Sequence, residues 1–549
     1  MITQVKINRK LFNLSLLIIA VILFISGLLF NPAFVSKYLS SDGVIEKSTI
    51  IKIYIIDFFI VFSGVIVFFY SLITITKSSY AKKIDEKLKK IFITRSSYRV
   101  LLIGCIFFLL TISSGLWILD LSYSGKWQNA KGYEYFWITQ GILSGNGYSI
   151  ASCRRWMFVD HVSAYSCDEY FPTALEEPIY PAMMALSFKA LGEYGKFAIL
   201  IFHIISLLCT YIVIFYLGRK VFNFQTGVLA TFILAQWPFT NYLVEGTLCP
   251  AIFAGLLVSV SAYLIFWCLE RVSVQRGIAL GFALGFSCLT FAPTLLFIPI
   301  SVLLVFFSAR PFRPVIWQTA LAILLAACLV VCPWTLRNLL VFGKFVPVRT
   351  GLGITAHLGN PILAATFSQG SHACSDTLGP LWKAKDATEA IVLSSRSLEK
   401  RTALYKRSFD CIGQKAPDGY ERFNEAERDK VYLGKTLDFI FSEPQTFAIL
   451  TYHKFLSFFR GWSQYQSIIA LFALSGAIVT LRHQKGRILT ILVLAYSIPY
   501  LFGMPFGYRY RYPIEPLLLV MASYVPFFII SKFSWLIRRL VGHPIKENK

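Results

Sequence analysis

Val100–Asp120 reads VLLIGCIFFLLTISSGLWILD, and six residues later Trp127–Ser149 reads WQNAKGYEYFWITQGILSGNGYS. The first run is uncharged until its last residue. It is long enough to cross a bilayer, which takes roughly 20 apolar residues as a helix. The second run is polar and aromatic and opens a loop that continues to about Pro178. An apolar run that empties into a long polar loop is the unit of a polytopic membrane chain, and it recurs along the sequence.

Composition agrees. Of 549 residues, 56% are hydrophobic and only 15% charged, with a mean hydropathy of +0.62. A soluble domain averages about 25% charged residues. The apolar runs are continuous rather than alternating, so they read as helices, not barrel strands. The net charge of +24 suggests nucleic acid at first sight. Its distribution says otherwise, because the basic residues sit in short loops, where they set orientation. Leu11–Phe30 is too long for the apolar part of a cleaved signal and reads as a retained helix.

Spanning helices are expected near 11–30, 51–76, 100–120, 197–218, 225–244, 250–269, 277–290, 293–308, 315–334, 466–481, 488–503 and 513–531, about twelve in all. Basic clusters at Lys6–Lys10, Lys82–Arg95, Arg219–Lys220, Arg271–Arg276, Arg310–Arg313, Arg482–Arg487 and Arg538–Lys546 then fall on one side. That side is cytoplasmic, with both termini inside. The expectation is a multi-pass protein of the cytoplasmic (inner) membrane. Its high Lys, Ile and Phe content suits a bacterial source.

Four regions follow. Residues 1–98 hold two helices and a basic cytoplasmic loop. Residues 99–334 form a transmembrane core whose first outer loop is 121–196. Residues 335–465 form a mostly helical outer region, and 466–549 hold the last helices and a basic tail. Within the first outer loop, Pro178–Gly192 is apolar but short, so it is expected to lie along the interface or re-enter. Glu425–Phe458 reads as an amphipathic helix broken at Pro444. Of eleven cysteines, seven lie in apolar helices or at their ends. Cys153 with Cys167, and Cys374 with Cys411, are disulfide candidates in the two outer regions, where an oxidising exterior permits them.

Outer cations run against the orientation rule and need a reason. Arg509 and Arg511 lie in GYRYRYPIEP (507–516), and Arg337 in PWTLRNLLVFGKFVPVR (333–349), followed by Lys344 and Arg349. Guanidinium groups at headgroup depth can grip a phosphate with two parallel hydrogen bonds or serve as plain interfacial anchors. Glu245, in NYLVEGTLCP (241–250), puts a carboxylate at a helix end near the membrane, a costly and usually functional placement. The first outer loop adds Glu134, Asp160, Asp168, Glu169, Glu176 and Glu177, with Asp120 just before it. Spacing does not choose among them, and each has a solvated surface carboxylate as its ordinary reading.

Together these stretches resemble the GT-C superfamily of membrane glycosyltransferases. They are most similar to the protein mannosyltransferase and lipid A aminoarabinose transferase group. Tyr133–Ser149 looks like the family's first-loop helix with its small-Gly-x-Gly-Tyr end. Glu177–Gly192 looks like its Pro-x-Tyr-Pro juxtamembrane helix. Val244–Pro250, Pro333–Asn360 and Arg509–Pro516 look like its later elements. The resemblance spans roughly 100–535 and leaves the first two helices outside. It implies transfer of a sugar from a polyprenyl-phosphate donor to a hydroxyl of a glycan, lipid or protein acceptor outside the membrane, with inversion, in building the cell envelope. It also implies a first-loop acid as general base, Glu245 as second acid, and Tyr133, Tyr180, Arg337, Arg509 and Arg511 as substrate-binding residues.

Two positions depart from the pattern. Asn129 stands where the first-loop acid is expected, leaving Glu134 or Asp120 for its role. Phe291 and Ala292 stand where the family often has an arginine. No His/Asp cluster forces a metal, so no cofactor is assigned; a divalent metal is compatible with the superfamily but not indicated. The expected partners are the lipid-linked donor, the acceptor and membrane lipids, with no nucleic acid. The rival readings are a lipid-linked saccharide flippase, polymerase or transporter, and a non-catalytic partner of the same fold.

Overall fold

The computed structural model describes residues 133–151, 169–235, 248–308, 314–362, 423–460, 464–481, 483–503 and 508–540. The helices expected near 11–30, 51–76 and 100–120 lie outside them. By contacts the chain divides into a unit of Leu119–Val525 and a unit of Met1–Ile118 with Pro526–Lys549. The site below lies in the first.

Helix α1 (Tyr133–Leu143) leads through a tight turn to β1 (Ser149–Ala151), which pairs antiparallel with β2 (Tyr170–Pro172), Ser149 opposite Pro172. The apolar run after Pro178 forms α2 (Ile179–Leu191). At 13 residues it is about 20 Å long, too short to span by itself. Gly192, at φ 56°, and a short 3₁₀ turn part it from α3 (Gly195–Val221). The elbow is tight, since a Cβ on Gly195 would stand 2.8 Å from the Phe188 backbone. There follow α4 (Phe224–Ala235), α5 (Ala251–Glu270), α6 (Val274–Thr290), α7 (Phe297–Ser308) and α8 (Pro314–Phe342). Residues 335–465 supply α9 (Leu352–His357), α10 (Glu425–Ser442) and α11 (Pro444–Arg460). The chain closes with α12 (Gln464–Thr480), α13 (Gln484–Phe502), α14 (Tyr508–Arg511) and α15 (Glu515–Leu540).

This is an all-α multi-pass membrane protein. Among the described residues five stretches are long and apolar enough to cross: Ile179–Val221, Ala251–Glu270, Pro314–Phe342, Gln484–Phe502 and Tyr512–Ile529. The shorter apolar helices are Phe224–Ala235, Val274–Thr290, Ala292–Phe307 and Ser467–Thr480.

Without a hydrophobic drive between helices in lipid, small residues set how closely they pack. Gly277, Gly281 and Gly285, four apart on α6, form such a stripe against α8. A Cβ on Gly277 would meet the Thr319 carbonyl at 2.7 Å and one on Gly285 the Ala327 carbonyl at 2.9 Å; one on Gly281 would collide with the Ile323 carbonyl.

One expectation changes and one holds. The helix expected to end at 334 runs to Phe342, through Pro333. It stays helical because side chains of its extra turns hold the returning chain. Trp334 Nε1 donates to the Val348 carbonyl (2.6 Å), Thr335 Oγ1 to Pro347 (2.7 Å) and Asn338 Nδ2 to Val346 (3.1 Å). The amphipathic stretch 425–458 is two helices, α10 and α11, meeting at Pro444. Asn424 opens α10 with a capping box, accepting from Glu427 N–H at 3.0 Å while Glu427 accepts from Asn424 N–H at 3.1 Å.

Candidate functional site

The turn after α1 explains its small-Gly-x-Gly-Tyr sequence. Gly145 and Gly147 sit at φ 84° and 68°, where a side chain is strained. The turn delivers Tyr148 to a junction. Its hydroxyl donates to the carbonyls of Glu176 (2.8 Å) and Glu177 (3.1 Å), and its ring meets Trp334 edge-on at 4.7 Å. Burial, then the two glutamates, hold the Tyr148 pKa well above the usual phenol value.

Arg337, in the last turns of α8, closes the same junction. It donates to the carbonyls of Thr173 (2.8 Å) and Tyr148 (2.9 Å) and to Asn338 Oδ1 (3.0 Å), and lies 4.9 Å from the Trp334 ring. The two backbone bonds fasten β1 and the end of β2 to α8, so this guanidinium is engaged by the protein itself.

The chain then presents Glu176 and Glu177, 3% and 0% exposed. Arg349 bonds both oxygens of Glu176, at 2.9 and 3.5 Å, and lies 3.6 Å from Glu177 Oε1. Burial opposes the charge on Arg349, but the two glutamates outweigh it and hold its pKa well above the ordinary guanidinium value. Glu177 Oε1 also accepts the Ala292 N–H at 2.7 Å. Phe291, extended at φ −155°, ends α6 and turns that N–H free of the helix. Glu177 Oε2 is buried and has no hydrogen-bond partner among the described residues. Two carboxylates thus face one guanidinium, in surroundings that include Tyr135, Tyr496, Tyr500 and Tyr510.

Glu425, at the start of α10, holds this segment from the other side. Its carboxylate accepts from Thr173 Oγ1 (2.7 Å), the Ala174 N–H (3.0 Å) and Thr350 Oγ1, while Thr350 N–H donates to Ala174 O (2.8 Å). One turn on, Asp429 accepts the Ile354 N–H at 3.0 Å, and burial lifts its pKa to about 6.

The residues singled out in the sequence fall as follows. Tyr133 is the first residue of α1, and Glu134, which follows it, is buried. The Tyr180 hydroxyl lies 2.9 Å from His203 Nε2 in the core. Arg511 is buried, its Nε 3.5 Å from Glu515 Oε1. Arg509 lies in α14. Asp120, Asn129, Glu245, Cys153, Cys167, Cys374 and Cys411 lie outside the described residues. Among the described residues no group of three or more His, Cys, Asp or Glu could hold a metal.

The structure brings forward Glu176, Glu177, Arg349 and Glu425. Glu176 and Glu177 read as ordinary loop acids in the sequence. Their signal was two consecutive carboxylates directly before the Pro-x-Tyr-Pro run, together with Arg349 as a cation on the unexpected side.

Residues 175–334 match the family model described as dolichyl-phosphate-mannose-protein mannosyltransferase. No curated protein matches the chain. Among solved structures the chain is similar to the archaeal oligosaccharyltransferase AglB from Archaeoglobus fulgidus in complex with an inhibitory peptide and a dolichol-phosphate. Identity is 13%, over 77% of this chain and 48% of that one, with a TM-score of 0.42. It is similar also to ArnT from Cupriavidus metallidurans bound to undecaprenyl phosphate, at 12% identity over 77% and 78% of the two chains, with a TM-score of 0.30. The match to the oligosaccharyltransferase spans about half of that chain's length. The family match supports the GT-C resemblance, and the buried acid pair lies directly after its first residue, Leu175.

Proposed function

We propose that the chain is a membrane glycosyltransferase of the GT-C kind that moves a sugar from a polyprenyl-phosphate donor to an acceptor hydroxyl, with inversion, on the extracytoplasmic side. The observation that carries this is the Glu176–Glu177–Arg349 cluster. It lies where the dolichyl-phosphate-mannose-protein mannosyltransferase match begins, next to the end of α8.

The chemistry such a transfer needs is a base for the acceptor hydroxyl and positive charge for the departing phosphate. Glu177 is fixed through one oxygen and keeps the other uncommitted among the described residues, so it can take a proton or orient a hydroxyl without first breaking a bond. Glu134 or Asp120 shares the base role, and Glu245 shapes the acceptor side. Arg349 is the structural counter-charge of the pair, and its partly exposed guanidinium (24%) can meet a phosphate. Arg509 and Arg511 bring further charge, while Arg337 holds the loop in place. The hydroxyl oxygen attacks the anomeric carbon, the carboxylate takes its proton, and the bond to phosphate oxygen breaks.

The test is transfer from polyprenyl-phosphate sugars in membranes carrying Glu177→Gln, Arg349→Lys or Glu134→Gln. Loss of transfer in Glu177→Gln at unchanged protein level supports the reading. Full activity in both glutamate variants removes these acids from the mechanism. Movement of a lipid-linked sugar with no new glycosidic bond points instead to the transporter class.

A further inference from the structure

Helix α11 is inside out for a helix in water. Its inward positions Leu450, Lys454 and Phe458 are 5%, 2% and 2% exposed. Lys454 Nζ donates to Asn360 Oδ1 and to the Leu501 carbonyl at 3.2 Å, and the Phe458 ring stacks on Tyr500 at 5.4 Å. Its outward positions Ile449, Tyr452 and Leu456 are 60%, 60% and 45% exposed. Just before the Pro444 break, Leu437 and Phe441 of α10 are also exposed, Phe441 by 80%. A surface helix ordinarily turns its apolar stripe to the core and its charge to solvent. Here the lysine is inside and the isoleucine, tyrosine and leucine are outside.

Two observations say what lies outside. The first is depth. Lys454 and Phe458 touch Tyr500 and Leu501, in the last turn of α13. That helix has 19 residues, about 28 Å, close to the hydrocarbon thickness of roughly 30 Å, so its end marks the membrane boundary. The second is continuity. Only residues 461–463 separate α11 from α12, whose exposed Ile468, Leu471, Leu474 and Ile478 form an apolar stripe of a membrane helix.

We propose that the outward face of α11, with the end of α10, is seated in the bilayer interface at the Phe502 end of α13, against lipid at the boundary of headgroups and acyl chains. Tyr452 suits that depth, its ring in the apolar zone and its hydroxyl toward the headgroups. The helix pair is then an elbow resting on the membrane. Because α10 carries Glu425, which holds residues 173–174 and 350, lipid contact fixes the height of the acid pair above the bilayer.

The test uses the full chain in phosphatidylcholine vesicles, with an environment-sensitive fluorescent amino acid placed at Tyr452, at Ile449, or at the exposed Lys430 of α10. Lipids carrying a nitroxide near the headgroup are expected to quench the probes at 452 and 449 and leave the Lys430 probe bright, while aqueous iodide does the reverse. Iodide quenching at 452 and 449 equal to that at 430 would overturn the proposal in favour of a wet surface. Shielding from both quenchers would overturn it too, in favour of a second copy or another protein on this face. All three positions are exposed, so the probes leave the core unchanged.

Discussion

Glu425 touches none of the proposed reacting groups, yet its removal is expected to abolish transfer. Its carboxylate, 2% exposed, accepts from Thr173 Oγ1, the Ala174 N–H and Thr350 Oγ1. Glu425→Ala leaves all three donors without that acceptor. Hydrogen bonds to a charged group contribute about 1.5–3 kcal/mol each. Relief of the buried carboxylate's desolvation offsets part of the loss. A net cost of about 3 kcal/mol to the local structure is expected, close to a hundredfold rise in opening, since about 1.4 kcal/mol is tenfold. The segment that opens is Thr173–Glu177, which carries both acids. Hydrogen exchange should therefore show protection at Ala174 and Leu175 falling about a hundredfold, with the spanning helices unchanged, and transfer lost in parallel. Glu425→Gln keeps the shape and one acceptor oxygen, and should fall between. Unchanged exchange at 174–175 in Glu425→Ala would refute the reasoning, whatever happened to activity.

Gly281→Leu places a side chain against the Ile323 carbonyl across the α6–α8 contact; overpacking costs of about 1–3 kcal/mol or more should lower folded yield and melting temperature in detergent, and a stable variant would argue against the close approach. Arg337→Lys lacks the planar fork whose two nitrogens each bond one carbonyl, and should cost about 1–2 kcal/mol, read as a lower melting temperature and faster proteolysis between residues 148 and 173. Asp429 offers a pH test. Its folded pKa of about 6 lies above the ordinary carboxylate value of about 3.9, so its contribution is full below about pH 4 and is lost as pH rises through 6. Asp429→Asn keeps an acceptor for the Ile354 N–H and has no charge to bury. Melting temperature of the parent relative to this variant should fall between pH 4 and 7, by the equivalent of at most about 3 kcal/mol, and a flat difference would refute the assignment.

Local pattern was legible wherever one segment decides its own structure. The Pro444 break and the apolar runs that became α5, α6 and α13 can be read from composition and periodicity, because each depends on neighbours within a few residues; the α1 helix with its glycine turn was legible through the family resemblance. The end of α8, expected near 334 from the apolar run, fell short for the opposite reason. The helix continues because Trp334, Thr335 and Asn338 bond to residues 346–348, partners that a local hydropathy pattern does not see.

The sequence by itself determined that this is a helical membrane chain with polar regions between its spans, since hydrocarbon leaves a backbone few alternatives. It also carried the motifs, in order, on which the GT-C resemblance rests. Which of the described acids are buried and paired was decided by the tertiary structure alone. Glu177 is held by Ala292 and Arg349, and Glu425 by Thr173 and Thr350, contacts between segments 75 to more than 250 residues apart. Burial and pairing are properties of that packing, and a carboxylate's chemistry depends on both.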